Sequence, residues 1–460
     1  MKFLIAAIFL CLVVACSSRI EDVPSAGSDN EGVAPTSPSP TARTGGAALA
    51  TPLSTPDSGV DTPNDDGDDG AQPSDGTPPD DDDAQSSGPE SGDQTRPSQD
   101  SGPNGTLTMF GPVACEGSER VQFSYFPLDA EIISSIRPMG SMAGGHVTPV
   151  DHIYITHDSP DIPGHGYVVR MPADGIVIQV DRMPNASRPD YRIVIAHSCR
   201  IFTTFIHTGE PNPELMALTG ELELGANWYG ALPIKAGDVL ANASTNTMDF
   251  MVHDQEVTLP GFIVPESYAG EDWKVHTLDP FDFYDEPLRS QVLVFNQRTA
   301  EPVGGKIDYD IDGRIVGNWF VEGTGGYVNG GEIPAGYENY WETHLAIAYH
   351  YIDPTTLIVS IGADVGIPEG ACNACAGAYG IKGNAPDPAT IGVSDGLVKH
   401  ELIGRILPER DAPTFNDESN SIGVFLVEMI DDGSIRVEVF PGVLPASVAG
   451  FTDAAVVYTR

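Results

Sequence analysis

Between residues 167 and 259 apolar and polar side chains alternate in short runs separated by turn residues. The runs are YVVRMPADGIVIQV (167–180), YRIVIAHSCRIFTTFIHTG (191–209), IKAGDVLANAS (234–244) and DFMVHDQEVTL (249–259). A period of two interrupted by Asp-Gly and Gly-rich turns predicts antiparallel strands that bury one face. One helix is expected in PNPELMALTGELEL, 211–224. The run at 191–207 reads as a hairpin with Ser198, Cys199 and Arg200 in its loop. Ile195 then faces Thr203, Ile193 faces Phe205 and Tyr191 faces His207, all on one side of the ribbon. His197 and His207 fall at opposite ends, about 20 Å apart at about 3.3 Å per residue, too far for one metal site. The stretch GHVTPVDHIYITH, 145–157, also reads as a strand and carries His146, Asp151, His152 and His157.

A second set of strand patterns runs from 289 to 460: QVLVFNQ, GKIDYDIDGRIVGNWF, HLAIAYHYI, TLIVSIG, GVFLVEMIDDGSIRVEVF and AAVVYTR. Residues 422–440 predict a hairpin about Asp431-Asp432-Gly433. Many short strands with Gly-rich turns predict an all-β barrel or sandwich. Asp308-Tyr309-Asp310-Ile311-Asp312-Gly313 imitates the start of a calcium loop, but its twelfth position is Trp319 where a bidentate glutamate is needed, so a half-exposed hairpin is expected instead. His344, His350 and His400, with Trp319, Trp341, Tyr340 and Tyr349, are expected to pack in the core. The region from 106 to 460 is too long for a single core, and two domains are expected, 106–288 and 289–460.

Nothing comparable precedes residue 106. The chain opens with Lys2 and an apolar run, Phe3 to Ala15, too short to span a bilayer, which needs about 20 residues; it reads as a secretory signal. Residues 17–105 are rich in Ser, Pro, Gly and Asp and hold 18 acidic and three basic residues. Such a segment cannot offset its ordering entropy by burial, so a disordered, extended acidic tether is expected. The whole chain carries a formal net charge of −43. Nucleic acid and acidic lipid surfaces are therefore excluded as partners on charge. In an exported chain the even set Cys115, Cys199, Cys372 and Cys375 predicts disulfides. The lone CxxC at 372–375 has no histidine or second CxxC to complete a zinc site, so a local Cys372–Cys375 bridge is expected, leaving Cys115 and Cys199 to pair.

Val13-Val14-Ala15-Cys16 resembles a bacterial lipobox, which implies a signal of residues 1–16 and a lipidated Cys16. The order of motifs between 145 and 288 resembles peptidase family M23, the LytM-like zinc endopeptidases of bacterial cell walls. Ala173-Asp174-Gly175-Ile176-Val177 matches the family's A-x-G-x-V hairpin and Ile195-Ala196-His197 its I-x-H strand. Ile234, Gly237 and Leu240 match its turn, and TLDPFDFYDEP, 277–287, its terminal segment. The resemblance implies a β-sandwich and a zinc ion held by two histidines and an aspartate. Carried over by position, the metal ligands are His146, Asp151 and Asp249, with His207 as the catalytic histidine of the Y-x-H strand.

The match departs from the family where the chemistry lies. His146 and Asp151 are one residue too far apart for H-x-x-x-D, so Val147 falls where the histidine belongs. In MDFMVHD, Asp249 stands where the second zinc-binding histidine belongs and Thr247 where the catalytic one does. A carboxylate can bind zinc, but threonine cannot replace an imidazole as acid or base near neutral pH. His253 is about 13 Å further along the strand. The expectation is a lipid-anchored extracytoplasmic protein of the cell or outer membrane whose M23-like domain binds or organises a cell-wall polymer or an envelope protein without hydrolysis. It touches the membrane only through lipid and holds zinc or no cofactor. The alternative is a zinc-dependent cell-wall endopeptidase with an altered ligand set.

Overall fold

The computed structural model describes residues 105–142, 145–157, 167–184, 186–243, 246–327, 333–367, 377–383, 385–405 and 421–460. The signal, Cys16, the tether, Cys372 and Cys375 lie outside the described residues. All those described belong to one compact unit, and the protein is mainly β.

A ten-stranded sheet forms the first half. Its main path runs β3 (Ile133–Arg137), β4 (Ile153–His157), β11 (Thr247–Asp254), β8 (Ile201–Pro211), β7 (Tyr191–Ala196), β6 (Gly175–Arg182) and β9 (Asn227–Ile234). Beside this path lie β5 (Val168–Arg170), β10 (Val239–Ala243) and β12 (Thr277–Leu278). A separate hairpin of β1 (Thr106–Thr108) and β2 (Gly111–Val113) precedes it, and helix α1 (Pro213–Thr219) occupies the expected helical segment, capped by Asn212. The β7–β8 hairpin keeps the expected register at Ile195 with Thr203 and Ile193 with Phe205. It then slips, and Tyr191 pairs with Thr208 instead of His207. The slip is a bulge whose extra residue, His207, takes a φ of 62°, a left-handed conformation rare outside glycine.

One face of the sheet is sealed by Ile193, Ile195, Phe205 and Phe250, with Phe205 and Phe250 rings 5.0 Å apart. Burying each such side chain stabilises by roughly 1.5–3 kcal/mol. The same core takes Phe320, Tyr327, Tyr340 and Trp341 from beyond residue 288. The bridge between Cys115 and Cys199 joins the N-terminal segment to the β7–β8 loop.

The second half is a closed eight-stranded antiparallel barrel in sequence order. Its strands are β13 (Gly317–Val321), β14 (His344–Tyr349), β15 (Leu357–Ile361), β16 (Gly377–Ile381), β17 (Leu397–Arg405), β18 (Ser421–Asp431), β19 (Ser434–Pro441) and β20 (Val456–Thr459). The β18–β19 hairpin turns where expected. Trp319, Phe425, Ile435 and Tyr458 fill the interior, as a barrel of this size requires.

Three expectations fail. QVLVFNQ is no strand: Leu288–Leu293 form helix α2, because a short apolar run does not by itself distinguish helix from strand. Asp308 to Ile315 are neither hairpin nor calcium loop. Asp308 accepts hydrogen bonds from Gly261 N–H and Lys306, and Asp310 accepts one from Asn318 N–H, so their oxygens are spent on the fold. Of the stretch 145–157, only Ile153–His157 is strand; Pro149, which lacks an N–H, falls in the irregular part.

Candidate functional site

Asp151 and His152 lie immediately before β4, and their carboxylate and ring reach the β11 side because β4 pairs with β11, Tyr154 opposite Asp249. On the other side β11 pairs with β8, whose bulge turns the His207 ring toward the same place. Asp190 directly precedes β7. The result is an alternating line of carboxylates and imidazoles. Asp190 Oδ2 hydrogen-bonds His207 Nδ1 at 3.0 Å, and His207 Nε2 lies 3.8 Å from Asp249 Oδ2. The same Asp249 oxygen lies 3.4 Å from His152 Nε2, whose Nδ1 hydrogen-bonds Asp151 Oδ1 at 3.1 Å. The His152–Asp249 approach is a close contact without hydrogen-bond alignment, since His152 Nε2 has no hydrogen-bond partner. Asp151, His152, Asp190 and Asp249 are all buried.

Lys274 is the fixed positive charge of this region. It lies in the short helix Asp272–His276, 2% exposed, with its ammonium 5.1 Å from the centre of the Tyr327 ring. Burial works to raise the Asp151 carboxyl, but Lys274 and the His152 hydrogen bond outweigh it and hold that group well below the usual carboxylate range. Asp249 moves the other way: burial raises it, only partly opposed by His152 and His207. Burial, with help from His152 and Lys274, lowers His146 to about 3, so this ring is neutral. Glu271 is pushed up to about 7, by burial and then by Asp151.

The structure thus brings together three of the four candidate residues, Asp151, Asp249 and His207. His146 lies beside that line, its ring edge-on to that of His152 at 5.8 Å. His152, to which the resemblance gives no role, is the central ring of the site. Thr247 pairs with Thr156 at the start of β11. His253 is a core histidine between the Thr204 and Thr277 hydroxyls, and His197 is held by Asp174 O and Thr203. Asp190 and Lys274 carried no motif; only the sheet register and the loop after β11 bring them here.

The zinc implied by the resemblance does not fit this donor set. Among the described residues no group of three or more His, Cys, Asp or Glu could hold a metal ion. Asp151 Oδ1 is taken by His152, the nearest imidazoles face Asp249 along a line, and threonine replaces the second catalytic imidazole. What the arrangement does offer is a buried line of carboxylates and imidazoles with a buried lysine acting on Asp151.

No family model matches this sequence, and no curated protein does. Among solved structures the chain is similar to a zinc-containing peptidase from Vibrio cholerae, at 20% identity and a TM-score of 0.19, covering 29% of this chain and 37% of that one. It is also similar to the SpoIIQ–SpoIIIAH pore-forming complex, at 14% identity and a TM-score of 0.23, covering 37% and 96%. The solution structure of lysostaphin is similar at 9% identity and a TM-score of 0.19, covering 77% and 91%. The chain spans little more than a third of the first of these proteins, and likenesses this weak decide neither fold nor function.

Proposed function

We propose that this is a cell-envelope lipoprotein whose M23-like sheet region binds or organises a wall polymer or a partner protein without cutting peptide bonds. The observation that carries the reading is the replacement of the H-x-H pair by Thr247 and Asp249, with Asp249 facing His152 and His207. A hydroxyl cannot take and return a proton near neutral pH as the missing imidazole would. The Cys115–Cys199 bridge suits an oxidising compartment outside the cytoplasm. No helix among the described residues is long and apolar enough to cross a membrane; in this reading the chain is attached through a lipidated Cys16. The two halves on either side of residue 288 serve as the sheet region and a barrel module.

The test is co-sedimentation of the purified protein with isolated peptidoglycan, alongside chromatography of any muropeptides released. Binding without release supports the reading. Release of muropeptides that a chelator abolishes would sink it. The second reading, a metallopeptidase with an altered ligand set, draws on the two Nε2 atoms that face one Asp249 oxygen. It predicts stoichiometric zinc that disappears in Asp249→Ala together with wall turnover.

A further inference from the structure

The residues left over from the family's pattern have an arrangement of their own. The two carboxylates assigned to the metal by position, Asp151 and Asp249, are separated by the imidazole of His152. One ring nitrogen faces each: Nδ1 to Asp151 Oδ1 at 3.1 Å and Nε2 to Asp249 Oδ2 at 3.4 Å. Two oxygens on one zinc ion can be at most about 4.4 Å apart, given bonds of about 2.0–2.2 Å. These two oxygens have a whole ring between them. The ring is held there: it is 6% exposed and packs edge-on against Tyr154 at 4.6 Å. The buried Lys274 ammonium, over the Tyr327 ring, acts on Asp151 electrostatically.

We propose that His152, backed by Lys274, stands in the metal's place, so that the cleft closes on its own side chains and folds without an ion. This rests on the non-hydrolytic reading and deepens it, since it names what substitutes for the cofactor. A buried carboxylate pair left without a counter-charge would be costly. His152 hydrogen-bonds Asp151, on which the Lys274 ammonium also acts, while Asp249 is only partly compensated by His152 and His207. The Trp341 ring lies against Gly145, 3.1 Å from where a Cβ would stand.

The experiment uses the full chain and zinc alone. Wild-type protein, loaded with zinc and dialysed, is expected to contain no stoichiometric metal by elemental analysis, and zinc is not expected to raise its melting temperature. His152→Ala frees both carboxylates beside His207 and is expected to bind zinc at least tenfold more tightly than wild type by calorimetry, with a zinc-dependent rise in melting temperature. His152→Asn keeps a donor toward Asp151 but cannot reach Asp249. It is expected to behave as the alanine variant does and carries the comparison if His152→Ala fails to fold by circular dichroism. One zinc in wild type that is lost in His152→Ala would make His152 a ligand and overturn the proposal. Equal, weak zinc binding in wild type and in the folded variant would overturn it too. Muropeptide release is measured in parallel. Zinc in wild type without release defeats this inference and leaves the non-hydrolytic reading standing, whereas chelator-resistant release defeats that reading alone.

Discussion

His400 offers a quantitative test of how the barrel is packed. It lies on β17 opposite Phe425, 0% exposed, and neither ring nitrogen has a hydrogen-bond partner. The ring stacks on Phe425 at 6.3 Å among apolar neighbours. A buried polar group without a partner costs about 1–3 kcal/mol. His400→Leu, similar in size and free of polar atoms, should therefore stabilise the chain by about 1–2 kcal/mol at pH 7.5. Burial also lowers the ring from 6.5 to about 4. A depressed folded value means that the unfolded chain binds the proton first. The stability is full above pH 6.5 and is lost as pH falls toward 4. At pH 5 this one residue should cost the wild type about 2 kcal/mol relative to pH 8. The variant should lack that increment, so its advantage should grow to about 3–4 kcal/mol at pH 5. Urea unfolding followed by tryptophan emission at the two pH values measures it. A variant less stable than wild type at pH 7.5, or an advantage that does not widen at pH 5, would refute the argument and imply a partner for the ring.

Asp279 should show the opposite pH dependence: burial pushes its carboxyl up to about 6, despite hydrogen bonds from Phe281 N–H and Gly304 N–H. Its contribution is fully present below pH 3.8 and is lost as pH rises through 6, so Asp279→Asn should flatten the pH 4–6 part of the stability curve by roughly 2 kcal/mol in the same urea assay. Asp254 accepts two hydrogen bonds from Arg200, at 2.8 and 2.7 Å, with its own side chain 1% exposed; Asp254→Ala should cost about 2–3 kcal/mol, and no loss of urea midpoint would count against the pair. Reducing the Cys115–Cys199 bridge, which closes 84 residues, should lower stability by about 4 kcal/mol, read as a drop in melting temperature with reductant. Gly261→Ala would place a Cβ 1.9 Å from Asp308 O, so expression of that variant as soluble protein with wild-type melting would contradict the packing described.

The strands of the sheet were legible because their register is a local matter. In β7 and β8, Ile193, Ile195 and Phe205 alternate with residues of the other face, and a period of two leaves one way to bury them. The same logic identified the β18–β19 hairpin through Asp-Gly, and α1 lies within the segment expected to be helical. It failed where the period was weak. Residues of α2 are too few to show 3.6-residue spacing, and β16 and β17 passed unread, the latter because Lys399, Glu401 and His400 interrupt its apolar alternation.

The candidate site was half legible for the same reason. Asp249 and His207, singled out by position, sit on a regular strand and at a strand's bulge, and their side chains approach within 3.8 Å. His146 lies in the irregular segment before β4, its ring against that of His152. His152 was given no role, and Asp190 and Lys274 were not singled out at all. What the sequence determined alone is the chemistry at its disposal: threonine and aspartate where two imidazoles would be needed, and a strand pattern able to form a β-sheet. What the tertiary structure decided is which charges meet. A bulge in β8, a break before β4 and a lysine from the loop after β11 converge only after the sheet has formed, because contacts between residues about a hundred positions apart follow from register and packing and leave no periodic trace in the chain.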